Sequence, residues 1–219
     1  MNLFITGTDT DVGKTYVSTL LVRALRKAGL DTAPMKPFCC GSRDDAEALY
    51  VACQGCEPLD VINPVWYQTP ASPYTAAKME NQPADFSLIR ETFQGLRARH
   101  RSLIVEGVGG WMVPIAKDYY VADLAAEFGL PVAVVVRNRL GALNHALLTV
   151  RDIQARGLPF AGIIFNRVEA ENDIAAATNR ALLEALLEAP VLFDIAPGQT
   201  ELDLAPGLRE SGRSAPCYF

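Results

Sequence analysis

The sequence lacks the features that would send it to a membrane or to a nucleic acid. None of its apolar runs approaches the ~20 residues that a transmembrane helix needs. No basic stretch followed by an apolar core stands at the N-terminus, so no signal peptide is expected and the chain is read as cytoplasmic. Acidic residues outnumber basic ones, 25 to 20, for a net charge of −5. The basic residues are scattered and form no stripe that could neutralise phosphate backbones, so neither nucleic acid nor an anionic membrane is expected as a partner. The cysteines number five (Cys39, Cys40, Cys53, Cys56 and Cys217), an odd count with no export signal, so disulfides are not expected. Cys53-Gln-Gly-Cys56 has the spacing of half a zinc site. The adjacent pair Cys39-Cys40 would chelate one tetrahedral ion poorly and no histidine lies nearby, so these are read as buried or incidental thiols.

Half of the 219 residues are hydrophobic, enough for one α/β domain over residues 1–219 with a core of its own. Strand-like runs at 2–6, 32–37, 102–107, 131–136, 160–166 and, more weakly, 190–195 alternate with helical patterns at 14–28, 85–99, 121–128, 142–156 and 172–188. In the fourth helix Leu143, Ala146, Leu147, Val150 and Ile153 recur at helical spacing. The strands are continuous Val/Ile runs without alternation. That pattern marks strands buried on both faces, hence a mostly parallel sheet with helices on both faces. The Pro-rich stretch 57–75 reads as one long irregular connection, a kind that often carries function.

The chain's most informative stretch is GTDTDVGKT, residues 7–15, between the first strand and the first helix. Such a loop turns backbone N–H groups toward phosphate, and the helix start adds its positive end. Lys14 would reach the β- and γ-phosphates, and Thr15 would place its hydroxyl on Mg²⁺. Five residues separate Gly7 from Gly13, where the usual loop has four, so Thr8 holds the usual first-glycine position. Glu106 closes the buried run Leu103-Ile104-Val105 just before a Gly-rich turn, at the strand ends where parallel α/β sheets gather ligands. Lys36 ends the second strand at the same edge, where a second cation can stabilise charge on a transferring phosphoryl group. Asp45 is a weaker candidate metal ligand: Asp44 competes with it, and a helix N-cap is an open alternative.

The segments GTDTDVGKT, MKPFCCGS, DDAEAL, NP…TPASP, EGVGGWMVPI, RLGALNHALLT and GIIFNRV resemble, in order, those of the dethiobiotin synthetase family, over residues 2 to about 195. The resemblance implies a P-loop NTPase fold, with ATP as co-substrate, Mg²⁺ as cofactor, and 7,8-diaminononanoate and CO₂ (or bicarbonate) as substrates. It implies a carbamate, then a carbamic-phosphoric anhydride, then ring closure by the second amine. By position, Thr15, Asp45 and Glu106 correspond to the Mg²⁺ ligands, and Lys36 with Lys14 to the catalytic cations. Asp11, Val12, Gly13, Lys14, Thr15 and Tyr16, with Glu106, Gly107, Val108 and Gly109, correspond to ATP-binding segments. Asn166 resembles the adenine-contacting asparagine, with Arg167 beside it in the same segment. Leu140, Gly141, Ala142, Leu143 and Asn144 resemble the helix start whose amides hold the substrate carboxylate across the interface of a homodimer, a use that fits the anion affinity of helix N-termini. Plain N-terminal capping by Asn144 and His145 is the alternative there.

The chain departs from that pattern in two places. Cys40 stands where the family commonly has a hydroxyl residue at the substrate, and a thiol donates a weaker hydrogen bond. The helix after Asn166, which can supply a tyrosine to the substrate carboxylate, has none here; Thr178 and Asn179 are the nearest polar candidates. The tail GRSAPCYF matches nothing. Other nucleotide chemistries fit less well. A cobyrinic acid diamide-type amidotransferase needs a glutaminase domain for which the chain has no room. A partition-type ATPase carries an extra lysine early in the loop, where this chain reads Thr8-Asp9-Thr10. A GTPase wants Asn-Lys-x-Asp, against Asn166-Arg167-Val168-Glu169 here.

Overall fold

A computed structural model of the chain describes residues 1–167, 174–187 and 190–204. It opens with β1 (Asn2–Gly7), α1 (Lys14–Lys27), β2 (Thr32–Met35), β3 (Phe38–Cys40) and α2 (Asp44–Ala52). Next come α3 (Leu59–Ile62), β4 (Val65–Tyr67), α4 (Pro73–Met79), α5 (Phe86–Arg99) and β5 (Ser102–Glu106). The hairpin strands β6 (Pro114–Ala116) and β7 (Tyr119–Tyr120) lead into α6 (Val121–Phe128) and β8 (Val132–Arg137). The last elements are α7 (Ala142–Ala155), β9 (Phe160–Asn166), α8 (Ile174–Leu187) and β10 (Val191–Ile195).

All six strand-like runs enter one sheet of order β10-β9-β8-β1-β5-β2, in which every pairing is parallel. The alternation of side chains along each strand explains why the runs are apolar throughout. Phe4, Val105, Val134 and Phe165 point into one layer, beside Ile89 and Phe93 of α5 and Val150 and Ile153 of α7. Their neighbours Ile5, Ile104, Val135 and Ile164 point into the other, against Val17, Leu21 and Leu25 of α1 and Leu49 of α2. Each such side chain contributes roughly 1.5–3 kcal/mol when fully buried. The two layers, far more than the short two-stranded sheets β3–β4 and β6–β7, therefore hold the strand ends in place.

Five helices agree with expectation to within about two residues at each end, the usual spread of helix boundaries. The stretch 57–75 does not: it holds α3, β4 and the first turn of α4. These elements are too short to show a period, and their role is positional. Ile62 O accepts from Lys36 N–H at 2.7 Å, and the buried Asn63 side chain donates to Lys36 O at 2.9 Å. Among the described residues no helix is long and apolar enough to cross a membrane.

Candidate active site

Because the sheet is parallel, Gly7, Met35, Glu106, Arg137 and Asn166 all end strands at one edge, and the loops that follow meet there. The loop from Thr8 to Gly13 turns through left-handed conformations at Asp11 (φ 57°) and Gly13 (φ 88°) before α1 starts. Gly13 admits no side chain: a Cβ would lie 2.1 Å from Asn166 Nδ2. That amide donates to Val12 O at 2.9 Å and ties the loop to the end of β9.

Two side chains from separate parts of the chain converge on Glu106, which is fully buried. Thr15 Oγ1, at the start of α1, donates to Glu106 Oε1 at 2.7 Å. Lys36 Nζ reaches the same oxygen at 2.6 Å and also Asp45 Oδ2, on the first turn of α2, at 2.9 Å. Burial opposes the Lys36 cation, but Glu106 and Asp45 outweigh it and hold Lys36 protonated well above the usual lysine range. Burial would likewise raise the Asp45 carboxyl, but Lys36 and Thr15 outweigh it and keep the group ionised. Lys14 is less secured. Its Nζ donates to Asp9 O at 3.0 Å, and burial, followed by repulsion from Lys36, brings it down to about 8.

Lys14, Thr15, Lys36 and Asp45 line a cavity of about 630 Å³, whose wall also includes Thr10, Asp11, Phe38, Cys40, Pro70 and Val113. The site meets the requirements of Mg²⁺, which takes hard oxygen ligands, typically one or two carboxylates with hydroxyl and phosphate. Thr15, Asp45 and Glu106 supply that donor set, and Glu106 Oε2 is buried with no partner. Elsewhere the fit fails. Among the described residues no group of three or more His, Cys, Asp or Glu side chains is placed to hold a metal, so Cys53 and Cys56 do not extend into a zinc site.

The structure brings together Asp11, Gly13, Lys14, Thr15, Lys36, Cys40, Asp45, Val108 and Gly109 around this one cavity. Arg43 holds the cap position, Asp44 is exposed, and Asp45 faces Lys36. Cys40 is partly buried, and burial pushes its thiol up to about 12. Tyr16 Oη donates to Gln199 O beside α1. Arg167 is held by Asp194 through Nε–Oδ1 and Nη2–Oδ2 contacts of 2.9 and 2.6 Å.

The segment Leu140–Asn144 lies elsewhere. Leu140, Gly141 and Ala142 line a separate crevice of about 60 Å³ with Thr8–Val12, not the cavity of Cys40. Gly141 caps α7 with no side-chain bond, so Asn144 and His145 do not serve as caps. Thr178 bonds back to Ile174 O within its own helix, and Asn179 is buried and supports Asn138 and Arg139 O. Neither reaches the cavity. The tail GRSAPCYF lies outside the described residues. Sequence reasoning missed the walls formed by Thr10, Phe38, Ser42, Pro70–Ser72 and Val113. Only the Pro-rich stretch gave a signal, as a long segment at the strand-end edge.

A phosphate loop between first strand and first helix, on a parallel sheet with the loop lysine and paired carboxylates at one edge, defines a P-loop nucleotide-binding protein. The fold agrees. The chain is similar to the septum site-determining protein MinD of Pyrococcus horikoshii complexed with Mg-ADP (TM-score 0.54, 14% identity, 91% of this chain and 82% of that one). It is also similar to the signal recognition particle receptor FtsY of Elizabethkingia anophelis in complex with GDP (TM-score 0.58, 14% identity, 95% and 61%). Residues 1–200 match the family described as an AAA domain. Over 203 residues the chain is 47% identical to the ATP-dependent dethiobiotin synthetase BioD of Akkermansia muciniphila, covering 93% of this chain and 95% of that one. It is 46% identical over 188 residues to the same enzyme of Anaeromyxobacter dehalogenans, covering 84% of each. The chain belongs to the ATP-dependent dethiobiotin synthetase family.

Proposed function

We propose that the chain joins CO₂ to 7,8-diaminononanoate, driven by ATP, and closes the ureido ring to give dethiobiotin, ADP and phosphate. One arrangement carries the reading: Thr15, Lys36 and Asp45 line a cavity whose wall also holds Cys40, and the buried Glu106 accepts from Thr15 and Lys36. Phosphate-binding groups and a wall for a small acid thus share one enclosure. One amine attacks CO₂ to form a carbamate. A carbamate oxygen then attacks the γ-phosphorus and releases ADP. The second amine attacks the carbonyl carbon of the mixed anhydride and expels phosphate.

Lys36, locked between two carboxylates, is a fixed positive charge and not a proton acceptor, so its part is to stabilise charge on the transferring phosphoryl group. Lys14 rests on a neutral carbonyl, which it can exchange for a phosphate oxygen in a stronger charge-assisted bond. Mg²⁺ held by Thr15, Asp45 and Glu106 would add Lewis-acid neutralisation of the phosphates. Cys40, a protonated thiol, acts as a weak donor to substrate and not as a nucleophile. Asn166, Arg167 and Tyr16 flank the base-binding end of the nucleotide.

We further read the chain as one cytoplasmic domain that works as a homodimer. In its own chain the start of α7 does not line the cavity, and Leu140 and Leu148 stand 79% and 63% exposed. A second copy would bring that helix start, with its anion-binding amides, to the substrate carboxylate. The test of the activity is phosphate release with and without diamine and bicarbonate. Release that needs both, in step with dethiobiotin by mass spectrometry, is expected. ATP hydrolysis indifferent to the diamine would point instead to a partition-type ATPase switch.

A further inference from the structure

The turn after Glu106 is held at its entry by Lys36 Nζ, which donates to Gly107 O at 3.3 Å, and its far end lies on the phosphate loop. A Cβ at Gly110 would stand 3.5 Å from Asp9 Cα, and one at Gly109 3.6 Å from Thr10 Oγ1. At Gly110 main chain packs on main chain, so a small movement of the turn shifts the phosphate loop against which it lies. The first large side chain after the glycines is Trp111, which is buried. Its indole Nε1–H donates to Asp152 Oδ2, near the end of α7, at 2.6 Å. Arg156 Nε donates to the same oxygen at 2.6 Å, and its Nη1 reaches Asp123 Oδ1 of α6 at 2.8 Å. Trp111 O accepts from Ala122 N–H at 3.0 Å, and Gly110 O from Val113 N–H at 3.2 Å. The exit of the turn is therefore clamped by α6 and α7. The other end of α7 lines the crevice with Thr8–Val12, so a single helix braces both loops of the site.

We propose that Asp152 is a positioning residue of the nucleotide site: through Trp111 it fixes the Gly107–Gly110 turn over the phosphate loop. The inference rests on reading that loop as a nucleotide site. Asp152 touches neither nucleotide nor metal and acts only through the indole. A hydrogen bond that merely held the fold together would change stability alone. One that sets the turn also changes ligand affinity, because residues that support a metal site from behind its ligands typically carry roughly 10–100-fold of its affinity.

The test is calorimetric titration of the full chain with Mg²⁺ and a non-hydrolysable ATP analogue, at a temperature where circular dichroism shows each variant folded. Asp152→Ala should weaken binding roughly tenfold, the lower end of that range. Trp111→Phe keeps an aromatic ring but loses the donor, and it should weaken binding to a similar degree. The double variant should be no weaker than either single one, since both remove the same contact. Asp152→Asn leaves an oxygen to accept from the indole and should recover most of the affinity. Asp123→Asn loosens the outer contact of Arg156 and the bond that Asp123 Oδ2 accepts from Tyr120 N–H at the start of α6, leaves the indole bond in place, and should lower the melting temperature with affinity unchanged. Unchanged affinity in Asp152→Ala and Trp111→Phe would overturn the proposal. Were Asp152→Ala not to fold, Trp111→Phe and Asp152→Asn still decide it. Failure of the parent chain to bind the analogue would instead sink the nucleotide-site reading itself.

Discussion

Lys36 Nζ lies 2.6 Å from Glu106 Oε1, with both side chains almost wholly out of solvent, and the pair joins the ends of two neighbouring parallel strands. Such a pair gains little over two apolar residues, because desolvation offsets most of the attraction. Losing one partner is another matter, since the other charge stays buried. Its presence at the strand edge is therefore best explained by chemistry and not by stability.

Lys36→Ala should lose about 10²–10³ in turnover, the usual cost of one preorganised charge contact. It should also lose roughly 3 kcal/mol of stability, because Glu106 is left uncompensated. Lys36→Met combined with Glu106→Gln should recover the stability but not the turnover. Urea denaturation and phosphate release measure the two effects separately. A Lys36→Ala variant as stable as its parent would mean that water reaches Glu106 in solution.

Glu106→Gln alone should weaken ATP binding in Mg²⁺ buffer more than in EDTA. The reason is the buried, unpartnered Oε2 beside Thr15 and Asp45, which a cation would satisfy and an amide would satisfy poorly. Calorimetry in the two buffers checks it. Equal losses in both would assign Glu106 to the fold and to Lys36 only.

The sheet was legible because its strands are buried on both sides and read as unbroken apolar runs, and the long helices because their faces repeat. The elements that seat Lys36 were not. β3 and β4 have three residues each and α3 four, too few for any period to emerge. The loop lysine, Thr15 and Glu106 stood out because charged or hydroxyl groups at a strand end beside glycines need a reason. Asp45 could be told from Asp44 only by the rotational phase of α2. Trp111 and Asp152 are 41 positions apart, and nothing local to either announces the contact.

Cys40 should alkylate slowly at neutral pH and faster as pH rises, without levelling off near 8.5, the ordinary value for a free cysteine. Burial, which pushes the thiol up to about 12, keeps the reactive thiolate scarce. The diamine should slow the reaction further, because Cys40 lines the cavity, while Cys53 and Cys56 react as before. Peptide mass spectrometry across a pH series follows all three. No protection at Cys40 would remove it from the substrate wall.

His100 predicts a pH effect on stability far from the cavity. Its ring nitrogens lie 2.9 Å from Asp31 Oδ1 and 2.8 Å from Glu57 Oε1. Burial opposes the imidazolium, but the two carboxylates outweigh it and raise its pKa in the fold. Folding therefore takes up a proton here. The contribution is complete below about pH 6.5, the ordinary imidazole value, and fades as pH rises through the higher folded value. With Asp31 half exposed, it should amount to no more than about 1 kcal/mol. His100→Gln should flatten the pH dependence of the denaturation midpoint in that window. An unchanged slope would show that the cluster does not hold a proton.

The shared site makes the strongest demand on the geometry. In the proposed shared site the loop lysine and the start of α7 act on one substrate, yet within a chain the first lines the large cavity and the second a separate crevice. A neighbouring copy would resolve this and would also shield the phosphorylated carbamate from water, which would hydrolyse it. Lys14→Ala should be inactive because the phosphate contact is lost. Gly141→Pro should be inactive for an independent reason. Gly141 begins α7 at φ 88°, which proline's ring, fixed near −65°, cannot reach. Mixing the two variants under conditions of subunit exchange creates dimers in which one composite site holds an intact lysine from one chain and an intact helix start from the other. Activity should then return part-way toward that of the parent. Exchange demonstrated by differently tagged chains, with no activity regained, would place both elements on the same subunit's substrate and end the shared-site reading.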